Sequence, residues 1–131
     1  MSKPRILIGD DEKNILKVLE SRLKAGGFDV IKASSGDEAL EKIKKEKPDL
    51  VILDLGMPGL NGYQVCRELK KTDEFKQMPI IILSAWVREK QGEDTALADL
   101  YLTKPFRPEE LISQVRWLLE NRGHLPKPAV S

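Results

Sequence analysis

The chain has 131 residues, the size of one ordinary domain and enough for a core of its own. Its 22 basic and 21 acidic residues nearly cancel, which argues against a nucleic-acid-binding surface. The longest apolar runs fall far short of a membrane span, and the N-terminus lacks the apolar core of a signal peptide. A single cysteine, Cys66, excludes an internal disulfide, argues against a Cys-based metal site and fits a reducing cytoplasm.

Five strand patterns alternate with helical ones. The run Ile6-Leu7-Ile8 predicts a strand buried on both faces, and Asp10-Asp11-Glu12 follows it. Ile15, Val18, Leu19 and Leu23 then recur at helical spacing, and Gly26-Gly27 is the stop. Phe28 to Ala33 alternates like an outer strand. Ser35-Gly36 opens a second helix carrying Ala39, Leu40 and Ile43, which Pro48-Asp49 ends. A second apolar run, Leu50-Val51-Ile52-Leu53, terminates in Asp54. The glycine-rich loop 56–62 leads to a third helix with Val65, Cys66 and Leu69 inward, where Cys66 reads as a small core residue. Pro79 introduces the most apolar strand, Ile80 to Leu83, ending in Ser84. Residues 85–99 are the least regular stretch. A last strand from Leu100 to about Thr103 precedes Lys104-Pro105, and Pro108 is placed to start the final helix. That helix turns Leu111, Ile112, Val115, Leu118 and Leu119 inward, which leaves Trp117 on the exposed side. Residues 1–122 form the domain, and 123–131 read as a tail or the start of a linker. His124, the single histidine, lies there and has no catalytic role.

Alternating strands and helices predict a doubly wound α/β fold with a five-stranded parallel sheet in the order 2-1-3-4-5. Strands one and three are then neighbours, and ligands bind beyond their carboxyl ends at the switch point. Asp10, Asp11, Asp54 and Lys104 should converge there. Three carboxylates at one place repel and are each driven toward the neutral form, so the pattern asks for a hard divalent cation.

The segments DDE (10–12), DLGMPGLNG (54–62), PIIILSA (79–85) and YLTKPF (101–106), each at a strand end and in this order, resemble the receiver domain of two-component response regulators. The resemblance covers residues 5 to about 121. It implies that Asp54 is the phosphoacceptor. Asp11, Asp54 and the backbone carbonyl of Gly56 would bind Mg²⁺ directly, with Mn²⁺ able to substitute, and Asp10 would act through a coordinated water. Lys104 would pair with a phosphoryl oxygen. Ser84 would donate a hydrogen bond to another only in the phosphorylated state, and Tyr101 would turn inward when Ser84 moves. A cis bond before Pro105 would carry the lysine back toward the site.

By the same resemblance the partners are a histidine kinase or phosphotransfer protein, and a target protein or second copy at the face made by the family's fourth helix, fifth strand and fifth helix. Direct nucleic-acid and membrane contacts are not expected. The chain departs from the family at Gly56, where a larger side chain is usual, and at Trp86. It also has Leu97-Ala98 in place of Gly-Ala, and the interval from Ser84 to Lys104 is shorter by roughly half a helical turn. The first two positions flank the route of water to the acyl phosphate and so bear on the dephosphorylation rate, and the last two changes point to a short, displaced or partly unwound fourth helix.

Simpler roles exist for single residues. Asp10 and Asp11 could cap the first helix, Ser84 could bond to backbone, and Tyr101 could be a packing residue. Three functions follow. The first is a phosphorylation-controlled switch, not an enzyme beyond its own phosphoryl transfer and dephosphorylation. The second is a phosphorylation-independent pseudo-receiver. The third is an aspartyl-phosphate hydrolase or a flavin carrier. The hydrolase wants an acid where Gly56 stands, and the flavin carrier wants a phosphate loop where three acids stand, which leaves the switch as the expected function.

Overall fold

The computed structural model describes residues 3–85 and 98–121. Five strands, β1 (Arg5–Gly9), β2 (Asp29–Ala33), β3 (Leu50–Asp54), β4 (Ile80–Ser84) and β5 (Leu100–Thr103), form one sheet. All neighbours are parallel and the order is β2-β1-β3-β4-β5, as expected. The described helices are α1 (Lys13–Ala25), α2 (Gly36–Glu46), α3 (Gly62–Lys70) and the final helix α4 (Pro108–Asn121).

Side chains of a strand alternate between faces, so each apolar run fills two cores. Leu7, Val51, Leu53, Ile80, Ile82 and Tyr101 point to one layer, where Ala39 and Ile43 of α2 and Val65, Cys66 and Leu69 of α3 cover them. Ile6, Ile8, Leu50, Ile52, Ile81, Leu83, Leu100 and Leu102 point to the other. There Leu16, Leu19 and Leu23 of α1 and Leu111, Val115 and Leu118 of α4 pack against them. The edge strand β2 is buried mainly at Ala33, consistent with its more polar sequence.

Local chemistry sets the helix ends. The Ser35 hydroxyl accepts the Glu38 N–H at 3.1 Å and starts α2. Asn61 and Gln64 form a reciprocal capping box at α3, with bonds of 2.9 and 2.8 Å. After α1, Gly27 takes φ +96°, a left-handed turn that glycine adopts without strain. Two expectations shift. Leu16, not Val18, continues the buried stripe of α1. Val18 lies about 100° round the helix from Leu19 and is 47% exposed. The second helix closes at Glu46, because Lys47 adopts a left-handed cap at φ 52° directly before Pro48. A short 3₁₀ turn, Asp73–Phe75, also buries Phe75 ahead of β4.

Trp117 is 49% exposed on the outer side of α4, as its helical position requires. Its replacement by alanine is expected to change the unfolding free energy by less than about 1 kcal/mol, against about 3–5 kcal/mol for a buried tryptophan. Urea unfolding followed by circular dichroism checks this, and a loss in the larger range would mean that Trp117 is a core residue. Trp86, the expected fourth helix and the tail from residue 123 lie outside the described residues.

Candidate phosphoryl and metal site

The register brings the functional side chains to one edge of the sheet. Gly9 pairs with Leu53, Asp54 with Leu83, and Ser84 with Thr103, so β1, β3, β4 and β5 end nearly level. Asp10 follows β1, Asp54 and Ser84 are the last residues of β3 and β4, and Lys104 follows β5. Backbone bonds fasten these ends: Asp10 N–H to Ala33 O at 3.0 Å, Leu55 N–H to Leu83 O at 2.8 Å, and Lys104 N–H to Ser84 O at 2.8 Å. The Lys104–Pro105 peptide bond is cis.

Asp10, Asp11 and Asp54 each offer a carboxylate oxygen, and these oxygens lie within 4.8 Å of one another. Asp10 is fully buried, Asp54 is 7% exposed and Asp11 faces solvent. The Lys104 ammonium lies 3.0 Å from Asp10 Oδ2, 3.0 Å from Asp54 Oδ1 and 3.1 Å from Glu12 Oε1. An ammonium has three N–H donors, so these contacts occupy all of them. Asp10 Oδ1 in addition accepts the Glu12 N–H at 2.9 Å.

Burial raises the pKa of Asp54 above its ordinary value. The Lys104 hydrogen bond opposes the rise, and the Asp10 charge adds to it. One ammonium shared among three carboxylates therefore does not compensate the desolvation of Asp54. For Lys104, burial works against the charged form, but hydrogen bonds to Asp54, Asp10 and Glu12 outweigh it and hold the pKa above the ordinary lysine value. The ammonium stays charged across the physiological range.

An all-oxygen set of three carboxylates, one of them open to water, fits a hard divalent ion and gives no soft ligand for zinc or copper. Gly56 borders the Asp54 carboxylate: among the described residues, a Cβ at that position would meet only Asp54 Oδ2, at 3.6 Å. The opposite constraint holds at Gly62. A Cβ there would come within 3.2 Å of the Asp54 carbonyl oxygen and 3.1 Å of Ile82, so the start of α3 packs directly under the end of β3.

Ser84 is buried at the end of β4. Tyr101 is 2% exposed, and its ring lies 6.3 Å from that of Tyr63, tilted by 54°. Asp10, Asp11, Asp54 and Lys104 thus come together as expected, with Ser84 and Gly56 at the borders of the group and Tyr101 behind it in the α3-side core. Glu12, in the sequence only the last acid of the DDE segment and given no role there, also reaches the site through its ion pair with Lys104.

Residues 6–116 match the family model described as "Response regulator receiver domain". The "Probable transcriptional regulator ycf27" of Porphyridium aerugineum is 47% identical over 122 residues, which are 91% of this chain and 49% of that protein. The alkaline phosphatase synthesis transcriptional regulatory protein PhoP of Bacillus subtilis is 39% identical over 130 residues, 95% of this chain and 52% of the relative. The chain thus spans about half the length of the curated relatives it matches. Among solved structures, the chemotaxis response regulator CheY4 of Vibrio cholerae superposes with a TM-score of 0.83 at 30% identity, covering 89% of this chain and 99% of that one. The response regulator TrrA of Thermotoga maritima, in complex with Mg²⁺ and BeF, gives 0.80 at 38% identity, covering 88% and 98%. With the site geometry and the fold in agreement with these matches, the chain belongs to the response regulator receiver domains of two-component signalling.

Proposed function

We propose that this receiver accepts a phosphoryl group on Asp54 from a histidine kinase or phosphotransfer protein, in a Mg²⁺-dependent reaction, and that the modified protein presents a changed interaction face. The observation that carries this reading is the meeting of Asp54 Oδ1 with the Lys104 ammonium at 3.0 Å, inside a group of three carboxylates. A carboxylate oxygen of Asp54 attacks phosphorus and forms an acyl phosphate. The bond from phosphorus to the donor's imidazole nitrogen breaks, and the imidazole leaves with the electron pair.

Such transfer depends on placing the groups and neutralising charge, and the fixed ammonium of Lys104 serves both purposes. Asp11, Asp54 and the Gly56 carbonyl would hold Mg²⁺, with Asp10 contributing through water. When bound, the ion would neutralise the phosphoryl oxygens, and Mn²⁺ would serve in its place. Ser84 would donate its hydroxyl hydrogen to a phosphoryl oxygen, and Tyr101 would report that contact to the α3-side core. Hydrolysis of the acyl phosphate would be the chain's own, with the open flank at Gly56 as a path for water.

The output is proposed to run through protein contacts, to a target or a second copy, on the side of β5 and α4 that carries Trp117. The near-zero net charge favours this over direct nucleic-acid contact by this segment. Among the described residues no helix is long and apolar enough to cross a membrane. A cytoplasmic location is part of the proposal.

Intact-mass spectrometry after incubation with acetyl phosphate tests it. One phosphoryl adduct is expected with Mg²⁺ or Mn²⁺, and none with a chelator or in Asp54→Asn. An undiminished adduct in Asp54→Asn would refute the assignment and favour a phosphorylation-independent module.

A further inference from the structure

The Lys104 ammonium has no spare donor. Its three N–H groups face Asp10, Asp54 and Glu12 at 3.0, 3.0 and 3.1 Å. If Asp54 is phosphorylated, as proposed above, a phosphoryl oxygen must displace one of the three from the lysine. The three differ in how readily they leave. Asp10 is fully buried and is also held by the Glu12 N–H, so its carboxylate has no water to return to and keeps its place beside the lysine. Asp54 carries the phosphoryl group and stays beside the lysine. Glu12 has a side chain 60% exposed, and its carboxylate returns to water at little cost.

From this asymmetry we infer that Glu12 is a resting-state latch: its carboxylate holds the position on Lys104 that a phosphoryl oxygen takes on activation. Glu12 is a positioning residue that acts through Lys104. It is also the N-cap of α1, where its side chain makes no capping hydrogen bond. Its reach toward Lys104 therefore does not compete with a duty to its own helix. The inference rests on the phosphorylation reading and adds a residue that sets how readily the phosphoryl state forms.

The test uses beryllofluoride as the phosphoryl mimic at saturating Mg²⁺, with binding followed by fluorine NMR on the full chain. Two variants separate contact from field. Glu12→Ala removes both the charge and the contact. Glu12→Asp keeps the charge, but its shorter side chain is drawn to the free N–H groups of α1, where aspartate is a preferred cap. The latch predicts that both variants bind beryllofluoride about threefold more tightly than the wild type, the size expected for release of one partly exposed ion pair. Tightening in Glu12→Ala with wild-type binding in Glu12→Asp would mean that only the charge matters, and would overturn the latch. Unchanged binding in both would overturn it as well. Failure of the wild type to bind beryllofluoride with Mg²⁺ would remove the phosphorylation reading and the latch with it, a result distinct from either of the others.

Discussion

Lys104→Ala is expected to slow phosphorylation of Asp54 by roughly two orders of magnitude while tightening Mg²⁺ binding by roughly tenfold. The two effects have opposite signs because the ammonium plays opposite parts in them. Toward the incoming phosphoryl group it is a fixed cation, placed before reaction by Asp10, Asp54 and Glu12. Removing one such preorganised donor commonly costs about 10²–10³ in rate. Toward a divalent ion it is a like charge bonded to two of the same carboxylates. Two positive charges a few ångströms apart repel by several kcal/mol at the effective dielectric of a protein surface, about 20, so its loss relieves the metal site.

Calorimetric titration with Mg²⁺ and timed intact-mass measurements with acetyl phosphate read the two effects separately. Weaker metal binding together with slower phosphorylation would instead point to a collapsed site, and circular dichroism of the variant would show it. Lys104→Arg should recover only part of the rate. A planar guanidinium does not reproduce the compact ammonium that three carboxylates now surround.

The sheet and most of the site were legible because buried parallel strands announce themselves. Runs such as Leu50–Leu53 and Ile80–Leu83 have no polar face, and the polar residue that ends each run marks the carboxyl edge. Once the order is 2-1-3-4-5, Asp10, Asp54, Ser84 and Lys104 can hardly avoid one another. The misread features are those decided by reach or by a choice between near-equal patterns. On α1, Val18 and Leu16 both fit an apolar stripe with Leu19 and Leu23, and only the position of the helix against β1 and β2 selects Leu16. Lys47 closes α2 in a left-handed conformation that no composition rule assigns to lysine. Glu12 meets Lys104 across 92 residues of chain, through a flexible side chain whose direction depends on the lysine being there. The Tyr63–Tyr101 ring contact likewise joins two elements whose spacing only the packed core sets.

Asp54→Asn is expected to stabilise the metal-free protein at neutral pH by on the order of 1 kcal/mol, an increase in melting temperature of about 4 °C. The pKa of Asp54 is raised above its ordinary 3.8, first by burial and then by the charge of Asp10, with Lys104 only partly offsetting them. Folding therefore favours the protonated carboxyl. That contribution is complete below 3.8 and is lost as pH rises through the raised value, so above it the ionised side chain is a cost. Asparagine keeps the shape and an oxygen for Lys104 without the charge, and it carries no such cost. The advantage of the variant should accordingly vanish as the pH is lowered through the same interval. Mg²⁺ should reverse the order at neutral pH. An ion present at a hundred times its dissociation constant adds about 2.7 kcal/mol to the protein that binds it, and the variant has lost a ligand. Thermal unfolding of both proteins, with chelator and with saturating Mg²⁺, at neutral and at acid pH, gives the four comparisons needed. A variant less stable than the wild type in chelator at neutral pH would show that the Lys104 pair outweighs desolvation. The functional site would then be a source of stability, and binding of the metal would not be the event that relieves it.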